Sequence, residues 1–209
     1  IGLIFSDIPG SHFNDVASGP TYKDKSTISD ASKIITENNL GEFDLLETPK
    51  EDKYFEKVHN FVLVSNKTAI ESMAKKAKEF DLKVSVLSTE MYDETSIALK
   101  KIFQMKDNNT VVLAAGEPKL EVKKRGGIGG RNLHMGLKAI QMGLIDENSV
   151  FLSLASDGMD NSDAAGAIVD YNTLEKLKKS NLSADDYLAR FDSYTFFQKL
   201  GDLVITNPT

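Results

Sequence analysis

The chain has 209 residues and contains no cysteine. Disulfides, thiolate metal sites and thiol nucleophiles are therefore excluded, and the composition suits a reducing cytoplasm. The three histidines, His12, His59 and His134, lack the spacing of metal ligands, so we expect them on the surface or in packing roles. The G-x-S-x-G turn of serine hydrolases is also missing, which leaves that chemistry without support.

Long apolar runs are absent as well: no stretch approaches the ~20 residues that cross a bilayer. The first residues lack the basic region that begins a signal peptide, so we expect a cytoplasmic protein that does not span a membrane. A net charge of −6 argues against nucleic-acid and anionic-membrane partners. Any phosphate must then be bound locally, which favours a small phosphorylated ligand.

The first half of the chain alternates between strand and helix patterns, which predicts a partial Rossmann-like parallel α/β layer over residues 1–106. A long loop follows the first strand, and Thr27 or Ser29 is expected to cap the first helix. The predicted elements are strands at 1–5, 61–64 and 83–87 and helices from about 28 to 40, at 67–80 and at 94–103.

The second half, residues 107–209, is predicted to be a smaller mixed α/β domain that begins at a polar, turn-prone segment. Both chain ends have strand patterns, from which we expect a piece of a longer protein. The predicted elements are a hairpin-like pair at 111–115 and 120–124, a helix at 133–142, a strand at 150–154, an acidic loop reaching 169, two or three short helices and a strand at 203–206.

A glycine loop at residues 126–130 leads directly to Arg131 and Asn132. Glycine permits close backbone approach, a helix start offers unpaired N–H groups, and arginine adds a planar cation, so this pattern favours an anion. It matches neither the dinucleotide nor the P-loop motif, and a tight turn with a solvated arginine is the alternative. The candidate phosphate ligands here are Gly127, Gly129, Gly130 and Asn132.

Three aspartates at a spacing of three residues, Asp157, Asp160 and Asp163, follow the most apolar strand of the second half. They are candidates for binding Mg²⁺ or a substrate hydroxyl. Alternatively, Asp163 caps a helix at 164–166 and Asp160 holds a turn. Ser18 and Gly19 lie in a turn-forming segment that either binds a carboxylate or phosphate or is a plain β-turn.

The ordered set of short motifs resembles the glycerate 2-kinase family, whose members carry a C-terminal MOFRL domain. The resemblance covers essentially the whole chain, with residues 107–209 matching the MOFRL domain. The motifs are S-D-I-P-G, A-S-G-P-T, V-S-N, G-E-P, G-G-I-G-G-R-N, A-S-D-G-M-D-N-S-D-A-A-G-A-I-V-D, D-S-Y-x-F-F and L-V-I-T-N-P-T.

The resemblance implies an ATP- and Mg²⁺-dependent kinase that phosphorylates D-glycerate to 2-phosphoglycerate in a cleft between its two domains. Arg131 would stabilise the transferring phosphoryl group, and Asp157 would orient the hydroxyl or hold the metal. From the aspartate spacing alone, Asp160 is a candidate for binding substrate and Asp163 for a second metal ligand. Family members carry a catalytic lysine in a long segment before residue 1, so this chain alone would be inactive.

Three departures from the family pattern concern substrate preference and rate more than fold. Leu133 and His134 replace a Gln-Glu pair, Ser11 and His12 follow D-I-P-G in place of an acidic residue, and Asn207 replaces a glycine. Asparagine tolerates positive φ, so the terminal turn is expected to survive. Hydroxypyruvate reductase and a catalytically silent nucleotide- or sugar-acid-binding module are the alternative functions, and the oligomeric state stays open, a homodimer included.

Overall fold

The backbone contacts divide the chain into two units, Ile1–Ala69 and Ile70–Thr209. A computed structural model describes residues 1–8, 12–123 and 126–208. The division falls within a helix and therefore differs from the sequence-based domain boundary at 106/107, which stays a prediction. Within the described residues, no helix is both long and apolar enough to span a membrane.

The first unit is built on a pair of parallel strands, β1 (Gly2–Phe5) and β2 (Asn60–Val64). The predicted first helix is confirmed as α1 (Ile28–Glu37), which ends three residues earlier than expected. Thr27 is its N-cap: the Thr27 hydroxyl accepts from the Asp30 amide and the Asp30 carboxylate accepts from the Thr27 amide. The long loop after β1 contains a 3-10 segment at Phe13–Ser18.

The strand-helix-strand pattern predicted at the centre of the chain is confirmed. Helix α2 (Asn66–Glu79) leads to β3 (Lys83–Met91), α3 (Thr95–Gln104) and β4 (Thr110–Gly116), and β3 pairs with β4 in parallel. One face of α3 points inward, where Ala98 and Leu99 are fully buried, whereas Ile97 remains 49% exposed.

The hairpin predicted for residues 111–124 is wrong. The chain does not turn back after β4, because the Glu117 amide donates to the Met91 carbonyl at 2.7 Å and the Lys119 amide donates to the Asp93 carbonyl at 2.9 Å. The segment therefore continues along β3 instead of pairing with β4. Residues 120–123 have no strand structure, and 124 lies outside the described residues.

The rest of the second unit packs helices against a small antiparallel sheet. Helix α4 (Arg131–Gln141) lies against β5 (Phe151–Leu154) and β6 (Gly166–Val169), and β7 (Leu203–Val204) pairs with β6. Its core includes Leu133, Leu137, Phe196 and Phe197, all fully buried. The three short helices are α5 (Tyr171–Lys178), α6 (Ala184–Ala189) and α7 (Ser193–Leu200).

The expectations of a loop reaching residue 169 and of a helix at 164–166 capped by Asp163 are both wrong, because this segment leads into strand β6. Ala164 and Ala165 are fully buried, and the Ala165 amide donates to the Val204 carbonyl at 2.8 Å. A side chain at Gly166 would overlap the Ser153 carbonyl on the neighbouring strand. The small residues that suggested a loop thus permit close packing within the sheet.

Candidate functional site

The glycine loop before α4 packs tightly against the segment that leads into α7. The Gly127 amide donates to the Arg190 carbonyl at 2.7 Å, and the Tyr194 amide donates to the Ile128 carbonyl at 3.0 Å. Side chains at Gly126, Gly127 and Gly129 would overlap atoms of residues 190–194. The loop is therefore held rigidly by its neighbours and is not a flexible linker.

Asp192 joins these two segments. Its Oδ1 accepts from the Ile128 amide at 3.2 Å and from the Thr195 hydroxyl at 2.7 Å, and its Oδ2 accepts from Nε of Arg190 at 3.2 Å. Partial burial acts to raise the pKa of Asp192, but the bonds from Thr195, Ile128 and Arg190 outweigh it and the pKa lies below its ordinary value. Asp192 therefore remains charged and fixes the loop.

Asp160 occupies the N-terminal end of α4. Its side chain is 5% exposed, and its Oδ2 accepts from the amides of Leu133 at 2.8 Å and Gly130 at 3.1 Å. Its Oδ1 accepts from the Asn132 amide at 3.2 Å and from the Asn132 side chain at 3.1 Å. A buried carboxylate at this position satisfies the free N–H groups of the helix start and interacts favourably with the helix dipole.

The anion predicted at the start of α4 is therefore an internal one. The amides of Gly130, Asn132 and Leu133 already donate to Asp160, so in this structure they are not available to a ligand phosphate. Asn132 is further tied to β5, because its Oδ1 accepts from the Ser153 hydroxyl at 2.7 Å. The expectation of unpaired N–H groups at this helix start is therefore wrong for these three amides, and the ligand roles of Gly130, Asn132 and Asp160 stay predictions.

Arg131 lines a cavity of about 670 Å³ next to the glycine loop. Its Nη1 lies 2.7 Å from Oε1 of Glu117, and the two side chains are 41% and 54% exposed. Gly127, Gly129 and Gly130 also line this cavity, so the structure brings these predicted residues together with Arg131. The described lining further includes Tyr92, Pro118, Lys119, Leu120, His134 and Phe191.

His134 forms part of the apolar wall of this cavity. It is 8% exposed, and its ring stacks on Phe191 with the centroids 5.8 Å apart. Burial is the main cause that lowers the pKa of His134 to about 4; Lys138 adds to the effect and Glu94 opposes it. The imidazole is therefore neutral at pH 7, and the expected packing role is confirmed for this histidine.

The other two aspartates of the acidic loop are exposed and are not among the described residues that line the cavity. Oδ1 of Asp157 accepts from the Met159 amide at 3.0 Å, and Asp163 contacts the Tyr194 hydroxyl, a bond that raises the pKa of Tyr194. Among residues 1–8, 12–123 and 126–208, no three His, Cys, Asp or Glu side chains are close enough to hold a metal. The metal roles of Asp157 and Asp163 stay predictions.

Comparison with known proteins adds the evolutionary context. The MOFRL family model matches residues 110–209, and a domain of unknown function, DUF4147, matches residues 1–48. The chain is 30% identical to a glycerate 2-kinase of Pyrococcus horikoshii and 33% identical to a D-glycerate 2-kinase of Thermotoga maritima, in each case over 100% of its own length. The chain is therefore similar over its whole length to part of two proteins named as glycerate 2-kinases.

Solved structures of such proteins share this fold. The crystal structure of glycerate kinase from Thermotoga maritima superposes with a TM-score of 0.83 at 29% identity, over 99% of this chain and 53% of that one. A Pyrococcus horikoshii protein gives a TM-score of 0.77 at 30% identity over 99% of this chain. The chain spans about half the length of the curated relatives it matches, 53% for the first two.

The remaining predicted residues have ordinary local structure. Asn207, which replaces a family glycine, has a φ of 62°, so the expected tolerance of positive φ is confirmed. The turn at Gly158 packs directly on Asn207, since a side chain at Gly158 would overlap the Asn207 carbonyl. Ser18 and Gly19 lie in the first unit, both with a φ of 62°, and their ligand roles stay predictions.

Sequence reasoning missed Glu117, which is the partner of Arg131. The signal was present in the G-E-P motif, which lies between the two strands of the predicted hairpin. Because that motif continues along β3, it carries the Glu117 carboxylate to the Arg131 guanidinium. A strand end is the position where α/β proteins place their ligands, and this offered a way to recognise the residue.

Proposed function

We propose that the protein containing this chain transfers the γ-phosphoryl group of ATP, in a Mg²⁺-dependent reaction, to the 2-hydroxyl of D-glycerate and forms 2-phosphoglycerate. Relatives named glycerate 2-kinase support the proposal at the level of the family. The single observation that carries it structurally is Arg131, held at the start of α4 beside a cavity of about 670 Å³. A cavity of this size suits a nucleotide or a similar metabolite.

Arg131 has the properties that phosphoryl transfer requires of a cation. Its backbone begins α4, whose first turn is fixed by the Asp160 carboxylate, so its Cα does not need to reorganise. Its guanidinium remains partly exposed and is therefore accessible to a ligand. In this role Arg131 donates to the phosphoryl oxygens, where charge increases in the transition state.

We expect Mg²⁺ to arrive with the nucleotide, because Glu117 is the one carboxylate among the described residues that line the cavity. Mg²⁺ commonly keeps several waters and binds one or two protein carboxylates together with substrate phosphates, so a site with three protein ligands is not required. Exposed carboxylates such as Asp157 and Asp163 are suitable oxygen ligands. A bound ion would supply positive charge beside the phosphate oxygens, and Asp157 would either contact that ion or orient the glycerate hydroxyl.

The test is a coupled ADP-release assay of the complete protein with D-glycerate and Mg-ATP. Arg131→Ala is expected to lower kcat by roughly 10³-fold or more, as loss of a phosphoryl-stabilising arginine does. Arg131→Lys keeps the charge without the planar fork and is expected to recover only part of the rate. Circular dichroism of each variant establishes that α4 remains folded.

Other outcomes point to other functions. Two relatives from Agrobacterium vitis, 30% and 28% identical, are named putative hydroxypyruvate reductases. NAD(P)H oxidation in the presence of hydroxypyruvate, with no ADP release, would favour that activity. Calorimetric binding of nucleotide without either turnover would favour a silent binding module. Wild-type activity equal to that of Arg131→Ala would refute the proposed kinase mechanism.

A further inference from the structure

We infer that Glu117 makes the Arg131 cavity bind phosphate groups as their magnesium complexes in preference to free anions. The inference rests on the proposed function in that it takes a magnesium nucleotide as the natural ligand. In the site, the Glu117 carboxylate competes with any anionic ligand for Arg131. Among the described lining residues, the charged side chains are Glu117, Lys119 and Arg131, and one of the two cations already has an anionic partner.

The position of Glu117 is fixed by its backbone. Its amide donates to the Met91 carbonyl at 2.7 Å, and the preceding Gly116 lies so close to Met91 that any side chain there would overlap the Met91 backbone. The Glu117 side chain therefore begins at a fixed backbone position at the end of β4, and a shift of the backbone cannot move it away from Arg131. Whatever ligand reaches Arg131 has this carboxylate as an immediate neighbour.

The Glu117 carboxylate has opposite effects on the binding of a free phosphate and of a magnesium phosphate. To reach Arg131, either ligand must separate the ion pair; because both side chains are about half exposed, the cost is roughly two- to fivefold in affinity. A free anion is then repelled by the released Glu117 carboxylate. A magnesium complex gives that carboxylate a cation to bind, and a single carboxylate is enough beside substrate phosphates.

The experiment measures binding of inorganic pyrophosphate to the complete protein by calorimetry, with excess Mg²⁺ or with EDTA. The wild type is expected to bind more tightly with Mg²⁺. In Glu117→Gln, magnesium-free binding is expected to tighten roughly two- to fivefold, because the competitor is removed. In Glu117→Gln, the ratio of the affinity with Mg²⁺ to the affinity with EDTA is expected to fall by about tenfold or more. The reason is that a carboxylate attracts a nearby divalent ion appreciably even in water.

Glu121→Gln is the matched control. Glu121 belongs to the same segment, is exposed, and pairs with Lys123 at 3.7 Å and not with Arg131. Removal of the Glu121 charge is expected to leave the ratio of pyrophosphate affinity with Mg²⁺ to that with EDTA at its wild-type value. The inference is overturned if Glu117→Gln keeps the wild-type ratio, if it weakens magnesium-free binding, or if the wild type binds pyrophosphate under neither condition.

These measurements are independent of the kinase assay. If the protein does not phosphorylate D-glycerate but Glu117→Gln lowers the ratio of pyrophosphate affinity with Mg²⁺ to that with EDTA, the proposed function is refuted and the inference stands. A protein that phosphorylates D-glycerate while Glu117→Gln keeps its ratio retains the function and refutes the inference. The Glu117→Gln binding curves at equilibrium also do not depend on turnover.

Discussion

Replacement of Asp160 by asparagine is expected to destabilise the start of α4 and, with it, the position of Arg131. The carboxylate is 5% exposed and receives four hydrogen bonds, two on each oxygen. Asparagine can present an oxygen to only one of these pairs, and its NH₂ group then faces the donors of the other pair. The substitution preserves the size of the side chain, so it removes acceptor capacity and charge without creating a cavity.

The expected cost follows from these contacts. Two buried donors lose their acceptor at roughly 1–3 kcal/mol each, and the loss of charge at the helix start adds about 0.3–1 kcal/mol. We therefore expect a decrease of about 3–5 kcal/mol in the free energy of unfolding of the second unit, allowing for relaxation of the side chain. This exceeds what most single substitutions on the surface cause.

Hydrogen-deuterium exchange measured by mass spectrometry gives a local assay for this prediction. In Asp160→Asn, peptides that cover the first turn of α4 are expected to exchange faster, whereas peptides from α1 in the first unit are expected to be unchanged. Asp163→Asn, an exposed change in the same loop, is the matched control. If both variants have the same melting temperature and the same exchange at α4, the argument that Asp160 fixes this helix fails.

Three further predictions concern stability. The pKa of His134 is lowered to about 4 in the folded state, so protonation of this histidine favours the unfolded chain. The free energy of unfolding is therefore expected to decrease by about 3 kcal/mol as the pH falls from 6.5 to 4. In chemical denaturation, His134→Gln should remove this part of the pH dependence. Gly127→Ala would push a methyl group into Asp192 and should lower the melting temperature measured by differential scanning calorimetry. Thr27→Ala removes the N-cap of α1 and should lower the stability of this helix by about 1 kcal/mol. The change should be visible as faster amide exchange in α1, and Thr48→Ala should not produce it.

Much of the fold was predictable because its signals are local. Helical spacing and the capping pattern from Thr27 to Asp30 specify α1, and the alternation of apolar strands with amphipathic helices specifies β3, α3 and β4. These signals act within a few residues, so tertiary contacts were not needed to recognise them.

The failed predictions depend on partners that are distant in the sequence. Whether residues 117–120 turn back or continue is decided by hydrogen bonds to β3, about 26 residues earlier in the chain. The Asp160 carboxylate reaches the start of α4 across 30 residues, and no spacing rule links an aspartate to a helix so far away. The sequence pointed to Arg131 and its glycine loop, and their role as a ligand site stays a prediction. The carboxylate at the start of α4 and the partner of the Arg131 guanidinium required coordinates.

The double attachment of Asp192 has a consequence for how these segments can vary. One carboxylate holds both the glycine loop and the first turn of α7, and the loop glycines lie so close to residues 190–194 that a side chain there would overlap them. A bulkier residue in the loop would demand a simultaneous change at residues 190–194, a double step that passes through an unstable intermediate. Homologues should therefore exchange these two stretches together, even though more than sixty positions separate them along the polypeptide.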